Sequence, residues 1–171
     1  FAKVNVINWY KAAFSTTQIG AREPKVGSTE GIGLHEDSFG MTTLDSQYNG
    51  GVQVSWYFWP KVVAAGHQDF WRTAAMGGET RPELQGIIFE DGYPGGTQGH
   101  QRFVDCVDVT HATAIFHHDG FVNGGYVGTE LENAREMHAY MGYNFHVSQV
   151  AVAVSSTAGA AEISVVVTQS G

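Results

Sequence analysis

The segment RTAAMGGETRP (72–82) is a short apolar run that ends in two glycines and Glu79, and its neighbours on both sides repeat the pattern. Upstream, TTQIGAREP (16–24) reads as a strand closed by Pro24. GIGLHEDSFG (31–40) is a second extended run ending in His35, Glu36 and Asp37. Downstream, ATAIFHHDG (112–120) is an apolar run of strand length that ends in His117, His118 and Asp119. Between these runs lie helical patterns. Residues 1–14 carry apolar side chains near helical spacing. Pro60 is expected to open a helix over PKVVAAGHQDFW (60–71) at its first turn. QRFVDCVDVTH (101–111) has Phe103, Cys106, Val107 and Thr110 at i, i+3, i+4 and i+7. TELENAREMHAYMG (129–142) is the best helix, with Thr129 and Glu132 expected as a capping box and Gly142 as a left-handed C-cap.

Strands separated by helices or long connections point to parallel α/β architecture. An open doubly wound sheet and a TIM barrel compete, and the lack of a GxGxxG or P-loop after any strand weighs against a nucleotide-binding sheet. Four strands are half of eight, so the expectation is the second half of a (β/α)8 TIM-like barrel over residues 1–142. After residue 142 the pattern changes. YNFHVSQVAVAVSS (143–156) and AEISVVVT (161–168), joined across SSTAGA without a helix, predict the start of a β-sandwich domain over 143–171. The first residues read as mid-helix and the last follow a strong strand, so the chain is expected to be a stretch of a longer secreted or extracellular protein.

Composition bounds the function. The chain has 171 residues, 43% of them hydrophobic, enough to bury a sizeable core. A net charge of −8, a pI near 5.3 and only nine scattered Lys and Arg argue against a nucleic-acid partner. No run of 18 apolar residues is present, so no membrane span is expected. Many glycines and aromatics with few charges suit loop-rich, carbohydrate-handling proteins, although an ordinary Gly-rich domain has the same composition. The single Cys106 excludes an internal disulfide and reads as a buried thiol on an apolar helix face.

In a barrel the active site lies at the C-terminal ends of the strands, and every proposed strand here ends in ionisable residues. Glu79 is the candidate catalytic carboxylate. The glycine pair before it permits close approach of a ligand, and Arg81 is expected to hold it ionised. The plainer reading is a solvated surface glutamate. His35, Asp37, Arg81, His117 and Asp119 are candidate substrate contacts. Adjacent histidines on a strand point to opposite faces and HHD has no partner at zinc-site spacing, so neither a metal nor another cofactor is expected. Trp56 to Trp59 suit stacking on sugar rings, with core packing the alternative for at least half of them. The Gly-rich EDGYPGGTQGHQ (90–101) reads as a long functional loop.

The order GLHEDSFG (33–40), AAMGGETRPE (74–83), a helix, ATAIFHHDG (112–120) and MGYNFHVSQVAVAV (141–154) resembles the family catalogued as DUF4832. The resemblance spans most of the chain and rests chiefly on GGET (77–80) followed by GYNF (142–145). It implies a glycoside-hydrolase-like TIM barrel whose earlier strands come from another segment, followed by a C-terminal β-sandwich. On that view Glu79 ends the seventh strand, where many barrel glycosidases keep their nucleophile, and the usual acid on the fourth strand lies outside this chain. Arg81 stands where the family usually has Cys, and the β-domain stops after about two strands. The implied partners are a glycan and either the other half-barrel segment or further copies of the chain. The reading is thus a carbohydrate-active, glycoside-hydrolase-like protein acting on or binding an extracellular glycan. The alternative is a non-catalytic extracellular glycan-binding or filament-forming structural subunit that keeps the barrel as scaffold.

Overall fold

The computed structural model describes residues 2–24, 31–49, 54–84, 86–89, 100–122, 124–142, 144–154 and 161–170. Most of the loop expected at 90–101 and the turn at 155–160 lie outside them. Four helices, α1 (Ala2–Ala13), α2 (Phe58–Ala64), α3 (Phe103–Thr110) and α4 (Gly128–Tyr140), alternate with strands β1 (Ile19–Ala21), β2 (Ile32–Phe39), β3 (Met76–Thr80) and β4 (Ala114–Phe116). The strands form one sheet in the order β1-β2-β3-β4, each pair parallel. The expected mixed α/β architecture, with a parallel sheet and helices, is therefore observed. Each of the four strands falls inside the segment in which the sequence predicts it.

Register fixes which side chains share a face. Leu34 pairs with Met76, and Glu36, Gly78 and Ile115 form the next row on that side. This face carries the core. Leu34, Met76 and Ile115 pack with Phe58 and Val62 of α2, with Phe103, Cys106 and Val107 of α3, and with Ala134 of α4. The opposite face holds His35, Gly77 and Ala114 in one row and Glu79 beside Phe116 in the next. Ala114 and Phe116 there are exposed.

The two faces are kept distinct by a bulge. From Glu36 to Phe39 β2 advances three residues, while β3 advances only two, from Gly78 to Thr80. Without the extra residue, alternation would turn Phe39 to the open side. With it, Phe39 is fully buried and meets Phe103 edge-on at 5.4 Å between ring centres.

Three local expectations are corrected. α2 begins at Phe58, not Pro60. The Phe58 and Trp59 amides donate to the Thr42 and Thr43 carbonyls at 2.8 and 2.7 Å, so the first turn is capped by the loop after β2. Pro60 falls where its missing N–H leaves no bond unmade. The Thr129–Glu132 capping box does not form, because α4 starts at Gly128 with Val127 as N-cap and no side-chain cap bond. Thr129 therefore sits inside the first turn. Nor is Gly142 the left-handed cap: the C-cap is Met141 in the right-handed region, and among the described non-glycine residues only His111, capping α3, has a positive φ of 55°.

Core packing absorbs the aromatic run as well. Phe58 is fully buried, with Trp56 and Trp59 packed against the cluster. Phe58→Ala should cost about 3–5 kcal/mol by transfer plus cavity terms, measured as a lowered urea midpoint with an unchanged slope.

β5 (Asn144–Val154) and β6 (Ala161–Ser170) form a separate antiparallel pair. Cross-strand partners put Val150 with Val165 and Val152 with Ile163 on one face. A register shift at Ser148 brings Val147, partner of Val167, onto that same face. All six side chains are exposed. The other face carries Gln149, Ala151, Ala153, Ser164, Val166 and Thr168, so the ribbon sets six exposed apolar side chains on one side and a mixed set on the other.

Candidate functional site

The open face gathers the carboxyl ends of the parallel strands. Arg22 follows β1, one residue beyond the Ala21–Leu34 pair, and so lies on the same side as His35. Its guanidinium meets Asp37 Oδ2 at 2.5 Å across the β1–β2 boundary. Asp37 Oδ1 is buried without a hydrogen-bond partner among the described residues. The bulge sets Asp37 and Ser38 opposite Glu79, which itself neighbours Phe116. Gly77, two residues before Glu79 on this face, keeps the floor between His35 and Ala114 free of side chains. A groove of about 530 Å³ runs from this floor over the free edge of β4. His35, Gly77, Ala114 and Phe116 line one side of it, with His138 and Met141 from the end of α4 on the other.

Arg81 does not do what the sequence predicts. Its Nε pairs with Glu83 at 3.6 Å and its Nη1 contacts the Met41 sulfur at 3.0 Å. The strand ends at Thr80 and the chain turns at Pro82–Leu84, which carries Arg81 away from Glu79. The cation serving this rim is Arg22, on Asp37.

His117 is also separated from Glu79. It follows Phe116 and alternates to the helix-covered face, where it is buried. Its Nδ1 lies 3.1 Å from both Thr80 Oγ1 and Tyr126 OH, and its Nε2 lies 2.8 Å from His138 Nε2. Burial, with smaller contributions from His138 and His118, lowers its pKa to about 4. His118 is exposed, as alternation predicts, and Asp119 is exposed in the following turn. The expected grouping of Glu79 with His117 and Asp119 is therefore replaced by Glu79, Asp37 and His35, with His117 in a separate cluster.

Beneath the open face sits a group that the sequence reading passed over in favour of its neighbours. Glu36 is fully buried. Its Oε1 accepts from the Ser38 amide at 3.1 Å and its Oε2 from the Thr43 hydroxyl at 2.7 Å. Thr43 Oγ1 in turn accepts from the Gly40 amide at 2.9 Å. Burial pushes the Glu36 carboxyl up to about 8, against the downward pull of the Thr43 bond. The Ser38 N–H belongs to the bulge, so the Glu36 side chain replaces a ladder bond that the bulge interrupts. Gln101, also buried, clamps the loop that carries Thr43: its Oε1 accepts from Leu44 N at 2.7 Å and its Nε2 donates to Leu44 O at 3.1 Å. Cys106 is a fully buried free thiol whose pKa burial drives well up, in keeping with a packing role. No pattern in the sequence distinguishes Tyr126, His138 or Gln101; only the folded topology brings them to these positions.

Among the described residues, no group of three or more His, Cys, Asp and Glu could hold a metal ion, and no helix is long and apolar enough to cross a membrane. No family model, curated protein or solved structure matches the chain.

Proposed function

We propose that this is a carbohydrate-active, glycoside-hydrolase-like protein of the DUF4832 kind that acts on an extracellular glycan at the open face of its sheet. The observation that carries the reading is the set His35, Asp37, Glu79 and Phe116 on one uncovered face, at the carboxyl ends of consecutive parallel strands. Ligands bind at that end in parallel α/β proteins. Consecutive strand order also fits four neighbouring strands of a (β/α)8 barrel, the remaining strands coming from another segment. Phe116 offers an exposed ring on which a sugar can stack. Glycoside hydrolysis uses two carboxylates, roughly 5 Å apart in retaining enzymes. Asp37 and Glu79 stand on neighbouring strands, which run about 4.8 Å apart, and their carboxyl groups are the pair such a reaction would use. In this reading Glu79 is the candidate nucleophile or base, Asp37 is the second carboxylate oriented by Arg22, and His35 contacts sugar hydroxyls.

Glu79→Gln should leave the urea midpoint unchanged and lower turnover of a cleaved oligosaccharide at least about a hundredfold. Equal turnover in wild type and variant would remove Glu79 from the chemistry. The alternative, a non-catalytic glycan-binding or filament-forming subunit of an extracellular assembly, is favoured by one observation: the six exposed apolar side chains on one face of the β5–β6 ribbon. Sedimentation of native material separates the two. Monomers with an accessible Glu79 support the enzyme, and long polymers that bury the open face support the structural subunit.

A further inference from the structure

At the β4 edge of the sheet, we propose that His117 and His138 form an acid-sensitive latch that pins the last turn of α4 to the end of β4 and releases it on protonation. The two Nε2 atoms are 2.8 Å apart, a distance that requires one proton between them. Whichever ring donates it, the other must present a lone pair. The pair can therefore take up one further proton at most while the contact lasts, and a second must break it.

The surroundings disfavour even the first. Phe89, Phe103 and Phe121 pack around the two imidazoles with ring centres 5.1–6.2 Å away. Uncharged Thr80 and Tyr126 hydroxyls take the remaining His117 nitrogen. The titrating groups that face His117 are His138, Tyr126 and its neighbour His118, while Glu130, in the first turn of α4, acts on Tyr126. Neither imidazole forms an ion pair among the described residues. Among the described residues no carboxylate pairs with either imidazole, so the folded state disfavours a positive charge on both rings.

The sign follows from linkage. Both folded pKa values lie below the ordinary 6.5 of histidine, and that of His117 is about 4. The latch is fully closed above pH 6.5 and weakens as pH falls from 6.5 towards 4. Release has a defined structural consequence. His138 and Met141 line the groove beside β4, so moving the end of α4 widens that groove and uncovers the free strand edge.

Hydrogen exchange of the α4 amides, corrected for intrinsic rates, tests the latch together with NMR titration of the imidazoles. Opening of residues 128–140 should increase about ten- to a hundredfold between pH 7 and pH 4, and by less in β2 and β3. The double variant His117→Gln/His138→Gln keeps amide hydrogen bonding without a titrating ring, and its α4 opening should change less than about threefold over that range. If the double variant does not fold, His138→Phe, which suits the aromatic surroundings, should show a reduced pH dependence. Wild-type imidazoles that titrate at the ordinary histidine value with α4 protected throughout would overturn the latch. So would equal acid loosening of wild type and double variant.

Discussion

Gly78→Ala is expected to destabilise the protein by about 3 kcal/mol or more, as overpacking against backbone does. A Cβ at this position would stand 2.5 Å from the Glu36 carbonyl oxygen and 3.4 Å from Ile115 Cδ1. The first contact is with the backbone of the neighbouring strand, which can yield only by opening the β2–β3 ladder. That ladder carries Asp37 and Glu79 together. Gly77 provides the internal comparison: its Cβ would meet only Ala114 O, at 3.2 Å, so Gly77→Ala should cost about 1 kcal/mol. Urea denaturation of both variants checks the ordering. Equal costs would mean that the two adjacent glycines are not distinguished by their faces.

The second large effect concerns the buried carboxyl of Glu36. Its folded pKa of about 8 lies above the ordinary 4.5, so the unfolded chain gives up its proton first as pH rises. The stability contribution of Glu36 is thus fully present below pH 4.5 and declines as pH rises towards 8. Glu36→Gln cannot ionise and keeps an oxygen for the Ser38 amide. It should be more stable than wild type by about 1–3 kcal/mol near pH 8 and should flatten the pH profile above 4.5. Glu36→Ala leaves the Ser38 amide and the Thr43 hydroxyl without their acceptor and opens a cavity. It should cost about 2–4 kcal/mol at pH 5. Denaturation curves at pH 5, 6.5 and 8 read both effects, and a Gln variant parallel to wild type across that range would contradict the buried, neutral carboxyl.

The four parallel strands were legible because each is a short apolar run ending in charge, and the intervening helices because Phe103, Cys106, Val107 and Thr110 keep their spacing. The ribbon was legible from the valines of 147–154 and 165–167. What escaped the sequence depends on pairing. The bulge after Glu36 is visible only against β3, yet it decides that Phe39 is core and places Ser38 as well as Asp37 opposite Glu79. His117 and Glu79 both sit at strand ends and look alike in sequence, but alternation puts them on opposite faces. Arg22 rather than Arg81 serves the rim for a similar reason: the turn at Pro82 removes Arg81, and the β1–β2 register supplies Arg22. His138, Tyr126 and Gln101 come from segments distant in the chain, and no local pattern brings them to their partners.

The claim that the open face is the glycan surface is tested most directly by following backbone and side-chain NMR signals during titration with a panel of neutral oligosaccharides. A bound sugar is expected to shift His35, Asp37, Gly77, Glu79 and Phe116 together, leaving Glu36, His117 and the β5–β6 ribbon in place. Perturbations confined to the helix-covered face or to the ribbon, with the open face silent throughout the panel, would contradict it.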